Sequence, residues 1–256
     1  MSSSTRVTRR QALIAGLATA SALVLPGCSE EMPPTYGHLL RMGDNFTWRA
    51  QRLLLPDHHT AREYARSEIS SIPAIGMTDP GDSSNPLFVE EFGSSYAQLR
   101  HGAFADWRLS IEGSVARPGE FSLADLQRFP RKTQITRHTC EEGWTAIAEW
   151  NGALLKDVLS AVGVLPGARF VNFSSYDDWD DSIDMWDALH PQTFLAYGMN
   201  GRDLPVPHGA PVRLRVATQM GYKSMKFLRR IVVTDEFVDP GRTGPIQNGW
   251  SWFAGI

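Results

Sequence analysis

Cysteine is all but missing from this chain of 256 residues: only Cys28 and Cys140 occur. Cys28 closes a leader that is set aside below, so the mature protein keeps a single thiol and no internal disulfide. Long apolar runs are also lacking. The acid-free stretch from Ala12 to Leu25 is shorter than the roughly 20 residues a spanning helix needs. No lysine or arginine run stands out and the net charge is −3, so electrostatics gives no reason to expect a nucleic-acid partner. What is present, 42% hydrophobic and 21% charged residues, is an ordinary globular composition, enough for one large core or two small ones.

The single remaining thiol sits in Arg137-His138-Thr139-Cys140-Glu141-Glu142-Gly143-Trp144. The run Thr133-Gln134-Ile135-Thr136 before it alternates as a strand, which puts Cys140 at a strand end. Arg137 and His138 would favour the thiolate there. Glu142 and Gly143 turn the chain, and Trp144 and Trp150 bracket a short loop before a helix. A buried cysteine packed as a small hydrophobe is the plain alternative. Arginine, histidine and two glutamates are poor company for such a thiol. A lone thiolate on a scaffold serves as nucleophile, redox thiol or metal ligand.

Residues 1–28 read as an export signal. Arg6, Arg9 and Arg10 precede the apolar run, which ends Leu25-Pro26-Gly27-Cys28: a charged region, an apolar region and a small-residue cleavage site. Thr8-Arg9-Arg10-Gln11-Ala12-Leu13 resembles a twin-arginine signal, the route for folded, cofactor-loaded proteins. Leu-x-Gly-Cys resembles a lipoprotein box, in which Cys28 would be acylated and attach the protein to a membrane. The expected location is outside the cytoplasm, in the periplasm, with or without that lipid.

Residues 29–105 read as a tether followed by an irregular segment packing on the core. Ser29 to Thr35 is the tether. Ala61 to Ser70 has helical spacing, with Glu63 and Arg66 on one face. Pro73 to Pro86 excludes regular structure, and long ordered loops of this kind often line sites. Residues 106–256 read as the catalytic core. Trp107 to Gly113 alternates as a strand, Arg117 to Glu120 turns, and Ser122 caps a helix from Leu123 to Leu126. A helix with apolar positions 154, 155, 158, 159 and 162 ends at Gly163, and Arg169 to Ser174 is the next strand.

An acidic run follows: Asp177, Asp178, Asp180, Asp181, Asp184 and Asp187. With no glycine or glutamate where an EF-hand loop needs them, a solvated loop rim is the expectation. Asn200-Gly201 is a tight hairpin turn. Val212 to Val216 is a strand, with Arg215 read as a basic strand edge exposed to solvent.

The pattern Arg-His-x-Cys-x-Glu-Gly-Trp, with Trp150-Asn151-Gly152 after it, resembles bacterial molybdopterin oxidoreductases of the sulfite oxidase superfamily. So does a second block, His208-Gly209-Ala210-Pro211-Val212-Arg213 and Gly221-Tyr222-Lys223-Ser224-Met225-Lys226. The resemblance implies an α+β, sulfite oxidase-type molybdopterin-binding fold, with mixed sheets, short helices and long loops, and a molybdenum–molybdopterin cofactor (Mo-MPT). It implies Cys140 as the sulfur ligand of the metal. Glu142 and Arg137 become candidates for charge control or proton delivery. His208, Arg213 and Lys226, with Lys223 and Ser224 nearby, would hold the pterin phosphate, and His138 joins them as a cofactor contact. That set suits a dianion: a bidentate arginine, a lysine point charge and loop amides. Asn45, in an Asn-Phe pair, would reach the pterin; a turn asparagine is the plain alternative.

Sulfite oxidases of the animal and plant type have Cys-Ala-Gly-Asn-Arg where this chain has Cys-Glu-Glu-Gly-Trp, and a tyrosine where Trp179 stands. Sulfite is therefore not the expected substrate. The chain is more similar to the stand-alone exported catalytic subunit of methionine-sulfoxide reductase systems, which takes electrons from a membrane haem protein. The expected activity is oxygen-atom transfer at molybdenum, reducing a small-molecule or protein-bound S-oxide or N-oxide, with a membrane haem protein or cytochrome as electron partner. The alternatives are a sulfite dehydrogenase, a molybdopterin carrier without turnover, and an exported thiol protein acting through Cys140.

Overall fold

Alternating apolar residues at Leu109 and Ile111, and again at Leu228, Ile231 and Val233, bury one side of two strands that lie parallel to each other. These are β1 (Leu109–Gly113) and, more than a hundred residues further along the chain, β10 (Leu228–Thr234). Around them β2 (Gly119–Phe121), β5 (Phe170–Ser175) and β6 (Asp180–Asp184) complete a sheet of order β2-β1-β10-β5-β6. A second sheet holds β3 (Arg131–Thr139), β4 (Thr145–Leu154), β7 (Thr193–Met199) and β8 (Arg202–Asp203) in that order, with β9 (Arg213–Val216) paired to β7. β7 is buried along its whole length, as a strand paired on both sides should be. The computed structural model describes residues 38–55, 59–72, 74–238, 244 and 249–256. All of these fall in one unit, Pro33–Ile256. The leader, Cys28 and the tether lie outside the described residues.

The α+β expectation holds in detail at several turns. Ser122 accepts from the Asp125 amide while Asp125 reaches back to the Ser122 amide, a capping box that starts the short helix Leu123–Leu126. The helix Leu155–Val162 ends at Gly163 with φ +70°, a backbone state that glycine adopts without strain. Asn200 and Gly201, both with positive φ, turn the chain between β7 and β8.

Four local expectations are corrected. The segment read as irregular contains two helices among its described residues, α1 (His38–Leu54) and α2 (Glu90–His101). α1 docks through Trp48 and Arg52, four apart and hence on one face: the indole donates to Asp184 at 2.8 Å, and the guanidinium to Asp184 and Asp187. The helix expected over Ala61 to Ser70 is only a 3-10 turn at Arg66–Glu68. Here the backbone is taken up by the second sheet, with Tyr64 donating to Ile135 and Ser70 to Ile147. The expected loop between Trp144 and Trp150 is instead the first half of β4, with Ala146, Ala148 and Trp150 turned inward.

The acidic run is not a solvated rim. Asp181, Asp184 and Asp187 are buried at 2%, 6% and 1% exposure. Asp181 pairs with Lys223 at 2.6 Å, and the other two with Arg52. Buried carboxylates are tolerated when so paired.

Candidate active site

The β3–β4 hairpin presents Cys140 at its tip. The Cys140 amide donates to the Trp144 carbonyl at 2.9 Å, the Gly143 amide to the Cys140 carbonyl at 3.1 Å, and Gly143 takes φ +90° to close the turn. The thiol is 7% exposed. Its sulfur lies 3.5 Å from a Glu141 oxygen and 3.8 Å from a Glu142 oxygen, and Glu142 is held in turn by the Trp144 indole at 2.9 Å. Burial pushes the thiol up to about 11, and the two carboxylates push the same way. Unmetallated, this sulfur carries its proton.

That overturns the expectation of a thiolate favoured by Arg137 and His138. Arg137 is solvent-exposed and lies 5.3 Å over the Tyr64 ring, outside the lining of the cavity described next. Strand alternation sends its side chain away from the faces of Thr136 and His138. His138 does line the cavity, but burial first, then Arg215 and Arg213, hold its imidazole down to about 2. It is neutral. A metal cation, by contrast, deprotonates a coordinating thiol outright.

A cavity of about 320 Å³ opens beside Cys140. It brings together Cys140, Glu141, Glu142 and His138 from the first block with His208, Arg213, Ser224 and Lys226 from the second. Gly221 makes the joint: a Cβ there would stand 2.5 Å from Nε2 of His138 and 3.1 Å from the Thr139 carbonyl, so only glycine allows the 3-10 turn Gly221–Lys223 to press against β3.

At the cationic end Arg213 is buried, while His208 and Lys226 are half-buried. Arg213 is 4% exposed and donates to the carbonyls of His208 and Ser224; burial lowers it to about 10. The Lys226 amine donates to the carbonyls of Ile75, Met77 and Pro207 at 3.0, 3.2 and 3.0 Å. Burial, then Arg213, brings it down to about 8. Burial and the same two cations lower His208 to about 4. Ser224 faces inward with its hydroxyl, which accepts from the Val216 amide at 3.1 Å.

Two assigned cofactor contacts are not in this cavity. Lys223 is 1% exposed, and its amine is committed to Asp181 and the Ser182 carbonyl at 2.8 Å. Asn45 lies on α1 and is not part of the lining. Asp177 and Trp250, for which the sequence suggests no site role, line the cavity as well, as does Trp150 of the Trp-Asn-Gly motif. Asp177 was visible only as one member of the acidic run; Trp250 carries no local signal. The loop after Ile72 lines the site as expected of it: Ala74, Ile75 and Gly76 form part of the wall.

The residues present fit an anionic, heteroaromatic cofactor with a metal. The buried Nδ1 of His138 has no hydrogen-bond partner, a placement that asks for a ligand heteroatom. Among the described residues the buried guanidinium of Arg213 hydrogen-bonds only to neutral carbonyls, with the charge of Asp177 acting on it without a hydrogen bond.

Over residues 97–240, more than half the chain, the sequence matches the family model described as oxidoreductase molybdopterin binding domain. The chain belongs to this family. Among relatives, it is 39% identical over 158 residues to the provisionally named protein-methionine-sulfoxide reductase subunit YedZ1 of Azospira oryzae, covering 62% of this chain and 59% of that one. It is 32% identical over 146 residues to the protein-methionine-sulfoxide reductase catalytic subunit MsrP of Ralstonia nicotianae, covering 51% and 44%. The chain thus spans about half the length of the curated relatives it matches. The crystal structure of the sulfane dehydrogenase SoxCD from Paracoccus pantotrophus superposes with a TM-score of 0.51 at 27% identity, over 54% of this chain and 40% of that one. The fold of this molybdopterin-binding member is of the sulfite oxidase type.

Proposed function

We propose that this protein is an exported molybdenum–molybdopterin oxidoreductase that reduces an S-oxide, with methionine sulfoxide in a protein as the foremost substrate. One observation carries the reading: the lone thiol and the buried cationic cradle, some seventy residues apart in sequence, line the same cavity. Cys140 would ligate the metal, and His208, Arg213 and Lys226 would hold the phosphate of the pterin. The bound group supplies two-electron oxygen-atom chemistry; the chain supplies ligation, orientation and field. Reducing a sulfoxide to a thioether consumes two protons as water leaves, and Glu142 beside the sulfur is placed to pass one. Electrons would come from a membrane haem protein or a cytochrome.

The lining also bears on the substrate. Glu141 and Glu142 put negative charge beside Cys140, which repels an oxyanion such as sulfite. The rings of Trp144, Trp179, Tyr222 and Trp250 give the rest of the wall an apolar face that suits a neutral sulfoxide side chain.

Metal and pterin analysis of natively exported protein, with steady-state assays on methionine sulfoxide and on sulfite using artificial electron carriers, tests this. The expected result is about one molybdenum per chain and turnover with the sulfoxide. Cys140→Ser should abolish turnover while pterin stays bound; a fully active serine variant removes the metal-ligand assignment.

A further inference from the structure

Among the described residues Arg215 has no charged hydrogen-bond partner. Its side chain is 0% exposed on β9. One terminal nitrogen donates to the Val216 carbonyl at 2.8 Å and the Ser224 hydroxyl at 3.3 Å. The other donates to the Thr136 hydroxyl at 3.1 Å and the Arg137 carbonyl at 2.7 Å. Nε has no partner at all. Arg213, two residues earlier in the strand, is bound likewise to carbonyls only, and both guanidinium groups lie over the Trp150 ring, at 5.0 and 5.8 Å.

Buried arginines are normally paired with a carboxylate or a phosphate. Neutral dipoles soften a buried charge without cancelling it. Two neighbouring guanidinium groups compound the cost, since each disfavours the charge on the other. Among the described residues neither makes an ion pair with an acid: Asp181, Asp184, Asp187 and Glu149 are committed to Lys223, Arg52 and Arg66, and Asp177, in the cavity wall, acts by its charge on Arg213 and Lys226 and not on Arg215. Asp177 thus offsets part of the charge of Arg213 and Lys226, while the guanidinium of Arg215 has no carboxylate set against it. A dianionic phosphate would balance two guanidinium groups.

We infer that Arg215 is a reserved counter-charge for the anionic tail of the cofactor, set behind Arg213, and that it fixes the cysteine strand to the cradle as it does so. This rests on the molybdopterin reading. Arg213 lines the cavity; Arg215 does not. Arg215 reaches the site through Ser224, whose hydroxyl it holds while Arg213 holds the carbonyl, and through the carbonyl of Arg137, three residues before Cys140. It is a positioning residue, acting by charge and by its grip on two strands.

Two variants separate charge from hydrogen bonding. Arg215→Gln keeps donors and loses the charge; Arg215→Lys keeps the charge. The measurements are pterin released per chain from exported protein and the melting temperature of loaded and metal-free forms. The Gln variant should retain at least tenfold less pterin, and the gap between its loaded and metal-free melting temperatures should shrink. The Lys variant should retain more pterin than the Gln variant. Parental loading in the Gln variant overturns the inference. Equal losses in both variants, with metal-free melting falling in parallel, also overturn it, because they mark a plain structural tie. A parent chain carrying no pterin would sink the molybdopterin reading instead. The counter-charge then stands only if pyrophosphate raises the melting temperature of the metal-free parent and not that of Arg215→Gln.

Discussion

The imidazole of His138 and the backbone of Gly221 touch so closely that no side chain fits between them: a Cβ on Gly221 would lie 2.5 Å from Nε2. This contact joins the strand that ends at the candidate metal ligand to the turn that leads into the cradle. Gly221→Ala must push one away from the other. Overpacking of this kind costs about 1–3 kcal/mol. The expected outcome is a lower denaturation midpoint for metal-free protein and a lower pterin content, read on the same preparation.

Arg52 is the described cation that meets the buried Asp184 and Asp187, with nitrogen–oxygen distances of 2.8 and 2.7 Å. Removing one partner of a buried pair costs about 3–5 kcal/mol. Arg52→Met should therefore lower stability by that order in denaturant titrations at pH 8. Burial first, then Asp184, raises Asp187 to about 6. Below that pH a protonated Asp187 needs no cation, so the deficit of the variant should shrink as the pH is lowered from 7 to 5. A deficit that stays constant over this range would show that packing of the arginine on Trp186, 4.0 Å away, is what matters.

His208 gives a pH dependence of the opposite sense. Its imidazole is held down to about 4 by burial, Arg213 and Lys226, against an ordinary value of 6.5. Between those values the unfolded chain binds the proton and the folded chain does not, so this group takes stability away as pH falls from 6.5 to 4, and takes none above 6.5. His208→Gln removes the effect. Metal-free melting temperatures measured across pH 4 to 8 should show the variant gaining on the parent below 6.5 and running parallel above it.

Lys226 gives a third test. Its amine is lowered to about 8, and an anion favours the charged form. Binding of pyrophosphate to the metal-free protein should therefore weaken as pH rises through 8, and Lys226→Met should remove that part of the dependence. Isothermal titration at pH 7 and 9 checks both.

Local chemistry made parts of this molecule readable from sequence. Ser122 three residues before Asp125, Asn200-Gly201 and the glycine after Val162 each specify one backbone geometry, and each appears where expected. The thiol and the His-Gly-x-Pro-x-Arg block stand out in the sequence by residue type, and Cys140, His208 and Arg213 line one cavity. The failures share a cause. Asp184 and Asp187 look like solvent-facing residues until Arg52, more than a hundred positions away, is laid against them, and α1 itself looks irregular until that face has a partner. Lys223 stands three residues before Lys226 and offers the same amine, yet Asp181 claims it. Arg215 in a strand of alternating arginines suggested an exposed edge, whereas both arginines point into the protein. Nothing local distinguishes a cation kept for an internal partner from one kept for a ligand or for water.

All three N–H donors of Lys226 are spent on the carbonyls of Ile75, Met77 and Pro207. An incoming anion must draw that amine off them, so loop and ligand compete for a single ammonium group. Filled and vacant molecules should then differ in how readily a protease cuts near Ile75, and that difference offers a way to sort one population from the other without watching any chemistry.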